Sequence, residues 1–76
     1  MNTETLQINI ESPIATVTLN RPNVLNAFNE QLVLDLQQAF KSLTEDESVR
    51  VIILTGSGKG FSAGADLTER EASWDP

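Results

Sequence analysis

The sequence predicts an α/β fold in which an antiparallel hairpin is followed by a helix and a further strand. Three observations carry this prediction. Apolar and polar residues alternate in two short segments between residues 5 and 20, which is the period of strands with one solvated face. An apolar stripe at helical spacing follows them, and a short run without any polar face follows the stripe. Strand, helix and strand in this order form a βαβ unit, whose crossover is expected to be right-handed.

The two alternating segments are expected to pair around a short turn. Their apolar positions are Leu6, Ile8 and Ile10 in the first segment, and Ala15, Val17 and Leu19 in the second. The dipeptide Ser12–Pro13 lies between the segments and is typical of a turn. Pro22 ends the second segment, because proline lacks a backbone donor and disfavours helix in the residue before it.

Helical spacing predicts a helix from about Asn29 to about Leu43. Its apolar stripe consists of Phe28, Leu32, Leu36, Phe40 and Leu43, with Ala39 beside it. Asn29 suits the N-cap, since its side-chain oxygen can accept a free backbone N–H of the first turn. Glu30 is favourable at the positive end of the helix dipole, and the polar run 44–48 ends the helix.

A third strand is expected near residues 50–55. The run Val51–Leu54 has no polar face, which suits a strand buried on both sides, as strands of parallel sheets are. One helix covers only one of these faces, so we expect the other face to lack cover in a chain of this length. Glycines follow at positions 56, 58, 60 and 64. Their spacing fits neither the phosphate-binding loop nor the dinucleotide fingerprint, because Gly60 stands in place of Ser or Thr and Phe61 in place of a glycine. Asp66 and Glu69 fit a capping box, which predicts the start of a second helix.

Length and composition limit the possible functions. The 76 residues allow one small domain at most, and a core of that size is marginal in isolation. The net charge of −6 disfavours nucleic acid and anionic membrane as partners. Cysteine and histidine are absent, so disulfides, thiolate metal sites and the commonest general base are excluded. We expect a cytoplasmic protein that binds no metal and carries no leader or membrane span.

The small residues Ala63, Gly64 and Ala65 precede the expected second helix. Backbone N–H groups before a helix start are free and lie at the positive end of the dipole. Residues this small let a ligand approach the backbone closely. The segment therefore suits an anion or a developing oxyanion, although a tight turn without a ligand explains the same residues equally well.

Three segments in this order resemble the enoyl-CoA hydratase/isomerase (crotonase) family. Residues 17–28, VTLNRPNVLNAF, are similar to the family's strand followed by LNRP and LNA. Residues 51–56, VIILTG, come next, and residues 58–67, GKGFSAGADL, are similar to its G-x-x-F-x-A-G-x-D signature. The resemblance covers essentially residues 1–76. It implies an incomplete, N-terminal portion of one domain with the family's ClpP-like spiral of ββα units.

The resemblance implies a site that binds acyl-CoA thioesters, with coenzyme A as part of the substrate and no separate cofactor. Family members hold the thioester carbonyl between two backbone N–H groups, and Ala65 matches the first of these donors. The residues that match CoA-contacting stretches are Asn23, Val24 and Ala27 in one loop, and Ala63, Gly64, Ala65, Asp66 and Leu67 in the other. In the family pattern, the second donor and the catalytic glutamates come after the position of Pro76.

Hydration of a 2-trans-enoyl-CoA is the reaction expected of the parent enzyme. Double-bond isomerisation or another crotonase reaction is an alternative, since members share an enolate-like intermediate and differ in the steps that follow. An inactive fragment, or a remnant that only binds CoA, is a further alternative. Family members usually form trimers or hexamers, an assembly that this short chain is not expected to reproduce.

Overall fold

The protein is described by a computed structural model that covers residues 2–62 and Gly64. Its elements are β1 (Leu6–Glu11), β2 (Ile14–Leu19), a 3-10 turn (Pro22–Val24), α1 (Glu30–Glu45) and β3 (Val51–Gly56). The predicted hairpin, helix and third strand are thus confirmed, and α1 continues two residues beyond the expected end at Leu43. The second helix predicted from Asp66 lies outside the described residues.

The three strands form one mixed sheet in the order β1-β2-β3. β1 pairs antiparallel with β2, and Leu6 lies opposite Leu19. β2 pairs parallel with β3, and Leu19 lies opposite Gly56. The chain therefore leaves β2, crosses through α1 and returns beside β2, as expected of a βαβ unit.

The helix covers one face of the sheet. Its N-cap is Asn29, whose side-chain oxygen accepts the N–H of Leu32 at 2.8 Å, as the sequence predicts. The buried core between helix and sheet comprises Leu6, Ile8, Ala15, Val17, Leu19, Leu32, Leu36, Ala39 and Leu43. These side chains are the alternating positions of β1 and β2 and the stripe of α1, so burial of apolar area stabilises this pairing.

A polar contact ties the start of β1 to the helix. The hydroxyl of Thr5, which is itself buried, donates to Oδ2 of Asp35 at 2.6 Å. Gln31 Nε2 donates to the other carboxylate oxygen at 2.8 Å. The Thr5 hydrogen bond is the main reason why the pKa of Asp35 lies below its usual value. Asp35 is therefore a charged acceptor at neutral pH.

One face of β3 lacks cover, as expected for a sheet on which a single helix packs. Val51 and Ile53 are 50% and 45% exposed, and Ile14, which lies opposite Val51, is 40% exposed. These three residues form what we call the outer face of the sheet. Because α1 covers the opposite face, no element within the described residues covers the outer face, and β3 lies at the sheet's edge.

We predict that the outer face makes the isolated 76-residue chain self-associate and leaves its folding marginal. An apolar edge strand offers both unpaired backbone groups and apolar area to a second chain. Replacing Val51→Thr together with Ile53→Thr should lower the associated fraction in sedimentation velocity while the helical circular dichroism persists. The matched control is Val33→Thr with Leu34→Thr, which removes exposed apolar side chains from α1 and should leave association unchanged.

A monomeric wild-type chain with a sharp, cooperative thermal transition and dispersed amide resonances would contradict this prediction. Equal loss of association in the α1 control would also count against it, because the outer face would then have no special part in the contact.

Candidate functional site

Two loops meet at the carboxyl edge of the parallel strand pair. We call residues 20–28, after β2, the first loop, and residues 57–62 with Gly64, after β3, the glycine loop. Neighbouring parallel strands end at the same edge of a sheet, so the segments that follow them start side by side. The N–H of Ser57 donates to the carbonyl of Leu19 at 2.9 Å and extends the β2–β3 pairing into the glycine loop.

The side chain of Asn26 joins the two loops. Its Oδ1 accepts the N–H of Arg21 at 2.8 Å within the first loop. Its Nδ2 donates across to the carbonyls of Ser57 at 2.7 Å and Gly60 at 3.2 Å. Asn26 is 0% exposed, so these hydrogen bonds form away from competing water and their loss would leave buried polar groups unpaired.

The first loop turns through two residues with left-handed backbone angles. Leu25 has a φ of 55° and Asn26 a φ of 54°. Asparagine tolerates this region, whereas a leucine there is strained. The guanidinium of Arg21 donates to the carbonyl of Ala27, and the N–H of Asn26 donates to the carbonyl of Arg21 at 2.8 Å. These bonds hold a turn that leaves Leu25 56% exposed.

Two glycines let the loops approach each other. A Cβ built on Gly56 would lie 2.4 Å from the carbonyl oxygen of Phe61 and 2.8 Å from Nδ2 of Asn26. Any side chain at that position would therefore displace the Asn26 contact. Gly58 has a φ of +81°, and a Cβ there would come within 3.2 Å of Pro22. Glycine is required at both positions for steric reasons.

Gly64 is held to the first loop directly through its carbonyl, and indirectly through its N–H by way of Ser62. The N–H of Phe28 donates to the carbonyl of Gly64 at 2.7 Å. The N–H of Gly64 donates to Oγ of Ser62 at 3.0 Å, and that hydroxyl donates to the carbonyl of Asn26 at 2.8 Å. Gly64 has a φ of +96° and is exposed. Ser62 thus links it to Asn26, a buried residue of the first loop.

An open concavity lies where the loops meet. Phe28, Phe61, Ser62 and Gly64 line it, and Phe61 is 49% exposed. Its walls are aromatic side chains and glycine backbone, with one hydroxyl. Such a surface suits an apolar group better than it suits a highly charged ligand.

Within residues 2–62 and 64, no set of acidic, histidine or cysteine side chains is grouped as metal ligands. In the same part of the chain, no helix has the length and apolarity needed to cross a membrane.

The structure brings four of the predicted site residues to these loops. Asn23 and Val24 lie exposed on the 3-10 turn, Ala27 is buried in the first loop, and Gly64 belongs to the glycine loop. The other four, Ala63, Ala65, Asp66 and Leu67, lie outside the described residues. Sequence reasoning missed Asn26, Phe28 and Ser62 as the residues that connect the loops. The one available signal was the tolerance of asparagine for left-handed turns.

The protein is thus an α/β protein, in which a βαβ unit carries two hydrogen-bonded loops at the carboxyl edge of its parallel strands. The profile of the enoyl-CoA hydratase/isomerase family matches residues 9–74. The chain belongs to that family.

Two curated relatives illustrate the range of reactions in the family. A probable peroxisomal enoyl-CoA hydratase 1 of Arabidopsis thaliana is 47% identical over 68 residues, which cover 88% of this chain and 26% of the relative. A 1,2-epoxyphenylacetyl-CoA isomerase of Escherichia coli K12 is 43% identical over 61 residues, which cover 80% of this chain and 23% of the relative. The chain thus spans about a quarter of the length of these relatives.

Solved structures confirm the fold. An enoyl-CoA hydratase EchA8_6 from Mycobacterium marinum superposes with a TM-score of 0.82 at 54% identity, covering 86% of this chain and 31% of that one. An enoyl-CoA hydratase/isomerase from Mycobacterium paratuberculosis superposes with a TM-score of 0.88 at 32% identity, covering 95% of this chain and 27% of that one. The described elements therefore correspond to part of the crotonase fold.

We predict that Asn26→Ala destabilises the loops by about 2–4 kcal/mol, because it leaves several buried backbone groups without partners. Asn26→Gly removes the same side chain but accepts the left-handed φ, so it should be about 1 kcal/mol less damaging than alanine. Both are measured by urea unfolding of a hybrid enzyme in which residues 1–76 replace the matching segment of the Mycobacterium marinum hydratase.

The control for the Asn26 variants is Asn23→Ala, which truncates an exposed asparagine of the same loop and should change the free energy of unfolding little. Unfolding of Asn26→Ala at the same urea concentration as this control would show that Asn26 does not stabilise the loops.

Proposed function

We propose that this chain supplies acyl-CoA-binding loops to an enzyme that hydrates 2-trans-enoyl-CoA thioesters. The observation that carries the proposal is the double anchoring of Gly64 between Phe28 and Ser62, in a member of the enoyl-CoA hydratase/isomerase family. Anchored backbone at an open, apolar concavity is what a thioester-binding loop requires. The names of the Arabidopsis and Mycobacterium marinum relatives support hydration as the reaction.

The first oxyanion donor in this proposal is the backbone N–H of Ala65. A peptide group is planar, and in its trans form the C=O and the N–H point in opposite directions. The carbonyl of Gly64 belongs to the same peptide group as the N–H of Ala65. The hydrogen bond from Phe28 to that carbonyl therefore restrains the direction in which the donor N–H can point.

Such a donor acts on charge that develops during the reaction. As water adds to the β-carbon of the enoyl group, electron density moves onto the thioester oxygen and gives an enolate-like intermediate. A preorganised N–H aimed at that oxygen stabilises the transition state more than the ground state. The remaining proposed contacts with the CoA moiety are made by Asn23, Val24, Ala27, Ala63, Asp66 and Leu67.

A second candidate function is isomerisation of an acyl-CoA. The relative from Escherichia coli, named as a 1,2-epoxyphenylacetyl-CoA isomerase, is 43% identical over the matched residues. Isomerisation passes through the same polarised thioester, so the loops described here suit both reactions. Product analysis of the parent enzyme distinguishes them, since hydration adds the mass of one water and isomerisation adds none.

We predict that Ala65→Pro lowers the kcat of the hybrid enzyme for crotonyl-CoA by about 10²- to 10³-fold, as loss of one oxyanion donor does elsewhere. Proline has no N–H to donate. Ala65→Ser keeps the donor and should stay within about threefold of the parent. Steady-state kinetics of the two variants make the comparison.

Proline also restrains the turn, so folding and CoA binding are measured beside the rate. The assignment of Ala65 is wrong when Ala65→Pro folds, binds product CoA like the parent and still turns over within a few-fold of it. Ala65 would then be a small residue in a tight turn and nothing more.

We predict that the 76-residue chain alone shows no crotonyl-CoA hydration above a no-protein control. It offers one proposed donor and has no histidine, and loss of general acid–base catalysis alone removes about 10²- to 10⁴-fold in rate. Turnover by the pure chain, with contaminating host hydratase excluded by mass spectrometry, would contradict this prediction.

A further inference from the structure

The hydroxyl of Ser62 stands between the anchored glycine and the buried asparagine. Its Oγ accepts the N–H of Gly64 at 3.0 Å, and its proton is donated to the carbonyl of Asn26 at 2.8 Å. A serine hydroxyl has one proton to donate, so the bond to Asn26 fixes the orientation in which the oxygen accepts Gly64. Asn26 lies 36 residues away in sequence, which makes this a tertiary contact and more than a local serine turn.

We infer that Ser62 is a positioning residue for the reaction, acting through the backbone of Gly64. This inference rests on the proposed function, in which the peptide group of Gly64 and Ala65 carries the oxyanion donor. It goes beyond that function because Ser62 does not itself belong to the predicted contact residues.

Gly64 needs such a residue because the backbone of glycine is conformationally free. Glycine has the widest choice of backbone angles, and Gly64 uses a φ of +96° that other residues rarely adopt. It is exposed, and a Cβ built on it would meet no atom of the described residues within 4 Å. Within the described part of the chain, Gly64 is therefore restrained by its hydrogen bonds to Ser62 and Phe28 and not by packing.

The covalent chain would not hold Gly64 in its orientation if the hydrogen bond to Ser62 were lost. On the carbonyl side of Gly64, Phe28 fixes one peptide group; on the N–H side, Ser62 fixes the other. Removing the hydroxyl releases the N–H side of Gly64. The Phe28 bond then holds the donor's peptide group at its carbonyl oxygen alone, and the group can still tilt about that bond. The expected result is an oxyanion donor that is present but less well aimed, which affects the transition state more than substrate binding.

The test uses the hybrid enzyme with Ser62→Ala, Ser62→Thr and, as the matched control, Ser57→Ala. Ser57 lies in the same loop, and its buried hydroxyl has no hydrogen-bond partner within the described residues. We expect Ser62→Ala to lower kcat about tenfold with KM within about twofold. Ser62→Thr retains the hydroxyl, and we expect it and Ser57→Ala to stay within about twofold of the parent.

A second readout is the hydrogen exchange of the Gly64 amide, measured by NMR in the hybrid enzyme. Ser62→Ala should accelerate this exchange, and Ser57→Ala should not, because only the first variant removes the acceptor of that amide. The inference is overturned when Ser62→Ala changes neither kcat nor the exchange of Gly64. It is equally overturned when the Ser57 control shows the same losses, since a general loosening of the loop then explains both.

The two readouts separate failure of this inference from failure of the proposed function. An unsubstituted hybrid that folds but does not turn over contradicts the proposed function. The exchange of Gly64 then decides the role of Ser62: acceleration confined to Ser62→Ala supports positioning of the backbone, and unchanged exchange refutes it.

Discussion

The side-chain amide of Asn26 is the contact on which both loops depend. It accepts one hydrogen bond within the first loop and donates two to carbonyls that lie 31 and 34 residues further along the chain. Aspartate lacks the donors for those carbonyls, and glutamine would place the amide one methylene too far. Asparagine also tolerates the left-handed backbone that this position uses. Side-chain chemistry and backbone angle therefore both favour the same residue.

The scaffold determines where this contact forms. Packing of α1 on the sheet places β3 parallel to β2, and the register brings Gly56 opposite Leu19. The loops that follow begin side by side, and the missing side chain at Gly56 leaves room for the Asn26 amide. From the backbone carbonyl of Asn26, hydrogen bonds pass through Ser62 to the exposed Gly64. A rigid core thus orients backbone groups at the surface, which is what the proposed site of backbone donors requires.

The sequence predicted the elements because each has its own period. Alternation in β1 and β2 and the stripe of α1 depend only on neighbouring residues, and all three elements are confirmed. The apolar run Val51–Leu54 suits a strand that is covered on both faces, and one face was expected to lack cover here because the chain has a single helix to pack on the sheet; Val51 and Ile53 are accordingly exposed. The role of Asn26 was missed because its partners are fixed by tertiary contacts that no local spacing reveals.

We propose that these loops polarise a thioester carbonyl, and the vibrational spectrum of a bound ligand measures this polarisation most directly. Acetyl-CoA labelled with ¹³C at the thioester carbonyl would be bound to the hybrid enzyme and examined by isotope-edited infrared difference spectroscopy. Hydrogen bonds from backbone donors should move the carbonyl stretch to a lower frequency than in water. A bound ligand whose carbonyl stretch stays at its frequency in water would contradict the claim.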